Sequence, residues 1–97
     1  MTRIEVQAET EQPRGWSYAV KMHHADGSVT DHDVSLDWSD HELWSGGRLA
    51  PSKVVEMVLE YALEHAPAQE WPRKFDCARV RRWCPAMDRE VRTSGVG

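Results

Sequence analysis

Apolar and polar residues alternate on both sides of a glycine-containing turn between residues 16 and 38. The apolar residues occupy even-numbered positions: Trp16, Tyr18, Val20 and Met22 before the turn, and Val34, Leu36 and Trp38 after it. Such alternation is typical of half-buried strands and predicts a β-hairpin. Because facing residues share the apolar face only across an odd-numbered loop, we expect the loop Ala25-Asp26-Gly27, with Gly27 in the left-handed conformation.

This register pairs Tyr18 with Val34 and Trp16 with Leu36 on the apolar face, and Lys21 with Asp31 on the open face. A third strand is predicted over Arg3–Ala8, where Ile4, Val6 and Ala8 alternate with polar residues. The stretch Glu9–Gly15 would then connect this strand to the hairpin.

A short helix is predicted after the hairpin. Ser39-Asp40-His41-Glu42 has the pattern of a capping box, with Ser39 as the N-cap and Glu42 reaching back to it. Trp38 and Leu43 occupy the flanking staple positions, and Gly46-Gly47 ends the helix.

The main helix is predicted from Pro51 to Ala66, since proline favours a first helical position and Pro67 must end the helix. Its core stripe is Pro51, Val55, Val58, Leu59, Ala62 and Ala66. Val54, Met57 and Tyr61 widen the apolar arc toward a second contact, and Glu56, Glu60 and Glu64 form a solvated stripe.

A second, broken helix is predicted over residues 76–93. Asp76 is its expected N-cap, Phe75 and Val80 form a staple, and Pro85 interrupts it. The predicted fold is therefore α+β, with a two- or three-stranded antiparallel sheet (hairpin 16–38) packed on a main helix (51–66) and a Pro-broken C-terminal helix (76–93). One domain is expected over residues 1–97, with a flexible tail at 93–97.

Composition narrows the class of protein. The 97 residues contain 40% hydrophobic and 29% charged residues, which is typical of a globular domain. No apolar run approaches the ~20 residues of a membrane helix, and the N-terminal stretch lacks the apolar core of a signal peptide. We therefore expect a cytoplasmic protein that does not contact membranes. Cys77 and Cys84 lie too far apart on a helix to form a disulfide with each other.

Charge is divided unevenly along the chain. Residues 1–70 carry five basic and thirteen acidic residues, a net of −8, whereas residues 71–97 carry seven basic and three acidic ones, a net of +4. This division favours either an internal electrostatic match or a binding surface. Because the glutamate stripe points away from the predicted core, we favour a bipolar surface.

The basic segment is the candidate binding patch for nucleic acid. It comprises Arg73, Lys74, Arg79, Arg81, Arg82, Arg89 and Arg92, with Trp71 and Trp83 available for stacking on bases. The connection between the helices is longer than a helix-turn-helix turn, and the first helix exposes acidic residues that repel a duplex. A solvated basic helix and a docking surface for a protein remain open.

Histidine and aspartate cluster in and after the hairpin, where four of the five histidines lie between residues 23 and 41. The register divides them between two faces, with His24 and His32 on the apolar face. At most His23 with Asp31 or Asp33 could hold a divalent cation weakly, so no metal is predicted.

Cysteine and glutamate offer little chemistry. Cys77 lies in the first turn of a helix among arginines, which would lower the pKa of a thiol, but it also fits the core. The glutamates of the main helix imply no cleft, and the sequence has no phosphate loop or nucleophile elbow. We therefore predict neither an enzyme nor a cofactor.

The five tryptophans supply most of the aromatic volume. Trp16, Trp38 and Trp83 fit core positions, whereas Trp44 or Trp71 could be an exposed anchor for a partner. The candidate apolar edge therefore comprises Val54, Met57, Tyr61, Trp44 and Trp71.

Residues 50–91 resemble a family of short bacterial proteins of unknown function. The similar features are a helix that opens at Pro51 and closes in Leu63-Glu64-His65-Ala66-Pro67, then Phe75-Asp76, then Trp83-Cys84-Pro85. Cys84 and Trp71-Pro72 depart from the family pattern. The resemblance implies the same order of hairpin and helices, and it implies no catalytic residues.

The sequence thus predicts a small bacterial protein that serves as a non-enzymatic interaction or accessory module. Its expected partner is an unidentified protein or a second copy of the chain. Binding of nucleic acid through the C-terminal arginines is the alternative.

Overall fold

The sheet is an antiparallel meander of three strands to which a fourth strand is added in parallel. The computed structural model describes residues 4–65 and 71–89. The strands β1 (Ile4–Gln12), β2 (Gly15–His23), β3 (Val29–Asp37) and β4 (Lys74–Asp76) lie in the order β1-β2-β3-β4. The α+β class is confirmed, but the sheet is larger than the two or three strands predicted.

One face of this sheet is covered by helices. They are α1 (Trp38–Ser45), α2 (Pro51–His65), a 3₁₀ turn at Cys77–Arg79 and α3 (Val80–Trp83), followed by a helical turn at residues 87–89. Helix α2 begins at Pro51 as predicted, whereas Ala66, Arg92 and the tail at 93–97 lie outside the described residues. Within the described residues, no helix has both the length and the apolar character needed to cross a membrane.

The β2–β3 hairpin has the predicted register. Tyr18 pairs with Val34, Trp16 with Leu36 and Lys21 with Asp31. Gly27 has a φ of 91°, and its N–H donates to the carbonyl of His24 at 3.0 Å. The parity of the apolar positions therefore determined both the loop length and the position of the left-handed residue.

Strand β1 is longer than predicted and contains a β-bulge. It runs to Gln12, so the predicted connection Glu9–Gly15 is wrong, and the turn that joins β1 to β2 consists of Pro13 and Arg14 alone. The register shifts between Val6, which pairs with Val20, and Ala8, which pairs with Ala19. Because the extra residue reverses the alternation, Ala8 is exposed instead of facing the helices.

Strand β4 was not predicted, since Phe75 was assigned to the opening of a helix. Val34 pairs with Phe75, and the N–H of Asp33 donates to the carbonyl of Arg73 at 2.7 Å. His32 reinforces this junction because its Nδ1 donates to the carbonyl of Pro72 at 2.6 Å.

The predicted helix over 76–93 is broken at Pro85 as expected, and its residues 90–93 lie outside the described residues. Asp76 does cap its first turn by accepting from the N–H of Ala78 at 2.8 Å, as expected. The α-helical part ends at Trp83, and a turn at Pro85 and Ala86 separates it from the helical turn at 87–89.

The core lies between the sheet and the helices. Helix α2 contributes six buried residues: Val54, Val55, Val58, Leu59, Ala62 and Leu63. Val54 is fully buried and therefore belongs to the core, not to an exposed edge. The glutamate stripe is also less uniform than predicted, because Glu60 accepts a hydrogen bond from the backbone N–H of Ile4 at 3.2 Å.

Candidate functional site

The face of the sheet away from the helices is polar and carries small side chains along its centre. Ser17 and Ala19 of β2 lie beside Ser35 and Asp33 of β3 in the register. Lys74 of β4 pairs with Asp33 on the same face, which places opposite charges next to each other. The side chains on the central strands of this open face are therefore short, and its opposite charges meet at Asp33 and Lys74.

A shallow trough of about 410 Å³ occupies the end of this face nearest the Pro13–Arg14 turn. Its lining is mainly polar and includes Gln12, Arg14, Ser17, Asp33, Ser35, Asp37, Lys74 and Asp76. Asp76 is fixed there, because it accepts from the hydroxyl of Ser35 at 2.8 Å as well as capping the following turn. The trough thus presents hydrogen-bonding groups on a rigid floor.

Trp38 directly follows Asp37, which lines the trough, and is 55% exposed, although the sequence predicts it in the core. The prediction failed because the N-cap of α1 is Asp37, not Ser39. Asp37 accepts from the N–H of Ser39 at 2.9 Å and from its hydroxyl at 2.8 Å. Trp38 is therefore the first helical residue, and it leaves the alternation of β3 one position earlier than expected.

The backbone around Trp38 is held in place. Its N–H donates to the carbonyl of Arg14 at 2.8 Å, which joins α1 to the turn between β1 and β2. On the neighbouring turn of α1, His41 packs edge-on against Trp16 at 5.3 Å and donates from Nε2 to the carbonyl of Leu49 at 2.7 Å. We refer to Trp38 and the trough together as the Trp38 surface.

Leu43, the other residue of the predicted staple, is 38% exposed. The expected packing of Trp38 against Leu43 at the start of α1 is therefore replaced by the Asp37 cap. The end of the helix is as predicted, because Gly46 is left-handed and its N–H donates to the carbonyl of Glu42.

The predicted apolar edge does not form one surface. Trp44 is fully buried, like Val54, and its Nε1 donates to Asp88 at 2.8 Å. Met57 and Tyr61 are half-buried, and the Tyr61 ring stacks on His65 with 4.0 Å between ring centroids.

Trp71 belongs to an aromatic cluster on the sheet. It packs edge-on against Trp83 at 4.9 Å and lies 5.9 Å from Phe75. Its half-buried ring therefore packs partly within the protein, although its buried Nε1 has no hydrogen-bond partner among the described residues.

The predicted basic patch is divided. Arg81 donates to Asp88 and to Asp40, and its guanidinium lies 4.9 Å from the Trp44 ring centre. Desolvation lowers the pKa of Arg81, but the hydrogen bonds to the two carboxylates outweigh this effect and raise the pKa overall. Arg81, one of the predicted phosphate-binding residues, therefore forms internal ion pairs instead.

The other members of the patch lie in several places. Lys74 lines the trough, and Arg73 precedes β4. Arg79, Arg82 and Arg89 are exposed near the C-terminal helical turns.

The candidate metal ligands of the hairpin, His23, Asp31 and Asp33, each lie next to a different partner. His23 lies 3.3 Å from Glu5, and Asp31 lies 2.9 Å from Lys21. Asp33 lies opposite Lys74 in the register of β3 and β4. Within residues 4–65 and 71–89, no three His, Cys, Asp or Glu side chains converge in a way that could hold a metal ion.

Cys77 is fully buried, and burial raises the pKa of its thiol well above the usual value. The nearby carboxylates of Asp76 and Asp40 act in the same direction. The lowered pKa that the neighbouring arginines suggested is therefore wrong. Cys77 and Cys84 are both buried thiols, as core packing predicts.

Sequence reasoning missed the exposure of Trp38 and the role of Arg14. The available signal was Asp37, since aspartate is a good N-cap and Asp40 three residues later suits the first turn of a helix. Placing the cap there would have moved Trp38 out of the strand.

Comparison with known proteins leaves the family open. Searches against protein-family models, curated proteins and solved structures found no match to this chain. The resemblance to a family of short bacterial proteins remains a prediction from the motifs that carry it.

Proposed function

We propose that this protein is a non-enzymatic protein-interaction module and that Trp38 is the anchor of its binding surface. The observation that carries the proposal is the 55% exposure of this tryptophan on an ordered backbone. Tryptophan is the residue type most enriched among the hot spots of protein interfaces. A rigid aromatic side chain also loses little conformational entropy on binding.

The surroundings of Trp38 support the same function. Protein interfaces combine an apolar anchor with a polar rim that forms hydrogen bonds. The trough supplies such groups through Arg14, Asp33 and Lys74, and it carries both signs of charge. A partner that places an apolar pocket over Trp38 and polar groups along the trough would fit this surface.

The proposal can be tested by affinity capture with three baits. The baits are the wild-type protein, Trp38→Ala and the control Val29→Ala, captured from a lysate of the source organism and compared by quantitative mass spectrometry. Val29 is 48% exposed, so its substitution removes exposed apolar surface at the other end of β3. Circular dichroism confirms that all three baits are folded.

We expect a protein that is enriched with the wild type and Val29→Ala and is depleted with Trp38→Ala. The same captured proteins with all three baits would contradict the proposal. Light scattering across a concentration series tests self-association. A dimer that Trp38→Ala converts to a monomer would identify the partner as a second copy.

Binding of nucleic acid remains the alternative function. It is supported by Arg79 and Arg82, which are exposed and lie three residues apart, beside the half-buried Trp83. It is weakened by the commitment of Arg81 to two carboxylates. Fluorescence anisotropy with a labelled single-stranded oligonucleotide at low salt tests it. No salt-sensitive binding, or equal binding by the Arg79→Ala, Arg82→Ala double variant, would exclude it.

A further inference from the structure

Strand β1 forms an edge of the sheet, and its second half is accessible. In the described part of the chain, β1 is hydrogen-bonded to β2 alone. Every residue from Gln7 to Gln12 is exposed. An edge strand presents unpaired backbone groups on which another extended chain can build.

The register shows which backbone groups point outward. Gln12 and Gly15 flank a two-residue turn, so their N–H and C=O groups bond to each other across the hairpin. Bonded and non-bonded pairs alternate along an antiparallel ladder, which makes Thr10 and Ser17 the next bonded pair. The N–H and C=O groups of Glu9 and Glu11 therefore point away from β2.

Two features limit this edge at its N-terminal side. The bulge between Val6 and Ala8 interrupts the regular ladder. Beyond it, the N–H of Ile4 is already bonded to the carboxylate of Glu60 at 3.2 Å. The regular open edge is thus the stretch from Ala8 to Gln12, which we call the β1 edge.

The side chains of the β1 edge determine the charge of a suitable partner. Glu9 pairs with Tyr18, and Glu11 pairs with Trp16, so the two carboxylates share one face of the sheet. Glu9 is held in position, because its carboxylate accepts from the Tyr18 hydroxyl at 2.6 Å. The edge therefore carries two negative charges at the spacing of alternate strand residues.

This charge pattern argues against a second copy as the occupant. Antiparallel pairing of two β1 edges about Thr10 would place Glu9 of each chain opposite Glu11 of the other. Like charges directly across a ladder destabilise it, whereas opposite charges stabilise it. The complementary occupant carries a basic residue opposite each glutamate.

We propose that the β1 edge binds an extended segment of a partner protein with lysine or arginine at alternate positions, which adds a fifth strand to the sheet. Backbone hydrogen bonds to Glu9 and Glu11 supply affinity, and the two carboxylates select the basic side chains. This surface shares only Gln12 with the Trp38 surface. The proposal rests on the backbone and carboxylates of Glu9 and Glu11, so it does not depend on the function proposed above.

The test uses synthetic peptides and isothermal titration calorimetry. The first peptide alternates lysine and threonine over six residues. A second peptide has the same sequence but carries a methyl group on the backbone nitrogen of each lysine. This change keeps the side-chain charge and removes the backbone N–H donors that face β1. If the edge is used, we expect the N-methylated peptide to bind at least ~10-fold more weakly, the effect of losing one or two backbone hydrogen bonds.

Variants of the protein test the same contact from the other side. Glu11→Pro removes the outward N–H together with the Glu11 carboxylate. It leaves the ladder with β2 intact, since that ladder does not use the N–H and proline is tolerated on the outer side of an edge strand. We expect it to abolish binding of the lysine–threonine peptide. Glu11→Gln keeps the N–H, and we expect it to retain part of the affinity and to show a weaker dependence on salt.

Two results would overturn the proposal. One is equal affinity for the methylated and unmethylated peptides, which would show that basic peptides bind by charge alone. The other is undiminished binding by a folded Glu11→Pro variant. If Glu11→Pro does not fold, the comparison of the two peptides on the wild-type protein decides the question.

Discussion

The guanidinium of Arg81 donates to the carboxylate of Asp40 at 2.8 Å, across 41 positions of sequence. The same guanidinium binds Asp88, so α3 is tied both to α1 and to the helical turn that follows it. The acidic and basic parts of the sequence therefore partly neutralise each other inside the molecule. The bipolar surface expected from sequence is correspondingly reduced at this position.

Removing the Arg81 side chain should destabilise the fold. Arg81→Gln leaves Asp40, which is mostly buried, without its cation. Breaking a buried pair costs about 3–5 kcal/mol, and the partial exposure of Arg81 reduces the expected loss to about 1–3 kcal/mol. The free energy of unfolding in urea measures it. The neighbouring Arg82→Gln is the control and should change stability by less than about 0.5 kcal/mol. Equal stability of the two variants would contradict the role of Arg81.

Gly15 should not tolerate a side chain. A Cβ at this position would lie 2.0 Å from the carbonyl oxygen of Leu36, which belongs to the backbone of the adjacent strand. We expect Gly15→Ala to destabilise the protein by roughly 2–3 kcal/mol, the cost of forcing a strand apart. Ser17→Ala, two residues along β2, is the control. Thermal unfolding of both variants would show the difference, and a Gly15→Ala variant as stable as the wild type would contradict the close approach.

The Asp37 cap should make the stability of the protein depend on pH in the acidic range. The N–H and hydroxyl of Ser39 lower the pKa of Asp37 from its usual 3.8, because they stabilise the carboxylate. The cap therefore contributes fully above the pKa of the unfolded chain, and the contribution is lost as pH falls through the lower pKa of the folded state.

Two variants separate the cap from its charge. Asp37→Asn keeps a good N-cap, so its melting temperature near neutral pH should fall less than that of Asp37→Ala. Between about pH 5 and pH 2.5 the melting temperature of Asp37→Asn should decline less steeply than that of the wild type. Parallel curves for the wild type and Asp37→Asn would show that this carboxylate does not titrate with folding.

Tyr18 should limit stability in alkali. Its pKa is raised far above the usual 10.0, first by burial and then by the hydrogen bond to the Glu9 carboxylate. The phenol of the unfolded chain ionises near pH 10, whereas the folded one stays neutral, so stability should fall as pH rises above that value. Near-ultraviolet absorbance follows the ionisation. We expect a portion of the tyrosinate signal to appear only on unfolding, and Tyr18→Phe should remove that portion. A signal unchanged by this substitution would contradict the assignment.

The sequence predicted those features that depend on local periodicity. The register of the β2–β3 hairpin follows from the even-numbered apolar positions, and the start of α2 follows from Pro51. The bulge near Gln7 cannot be predicted from the sequence, because the residues after it are mostly polar and exposed and fit either face of the strand. Strand β4 has three residues and no alternation of its own, so Phe75 can be placed only once β3 is known.

The candidate site was harder to predict than the fold. Trp38 has the character of a core residue, and its exposure is decided by a shift of two residues in the position of the cap, from Ser39 to Asp37. Arg81 and Arg82 are adjacent and chemically identical, and only the arrival of Asp40 and Asp88 from elsewhere in the chain distinguishes them. Such convergence is a property of tertiary structure and has no local signal.

The parallel pairing of β4 also implies an order of assembly. The meander β1–β3 has short turns, and its contacts can form early. The hydrogen bond between Ser35 and Asp76, in contrast, joins residues 41 positions apart. During synthesis the outer side of β3 therefore has no strand partner until residues 74–76 have left the ribosome. A three-residue strand thus determines how long the nascent sheet exposes a second edge, which is the interval in which unpaired strands are most prone to aggregation.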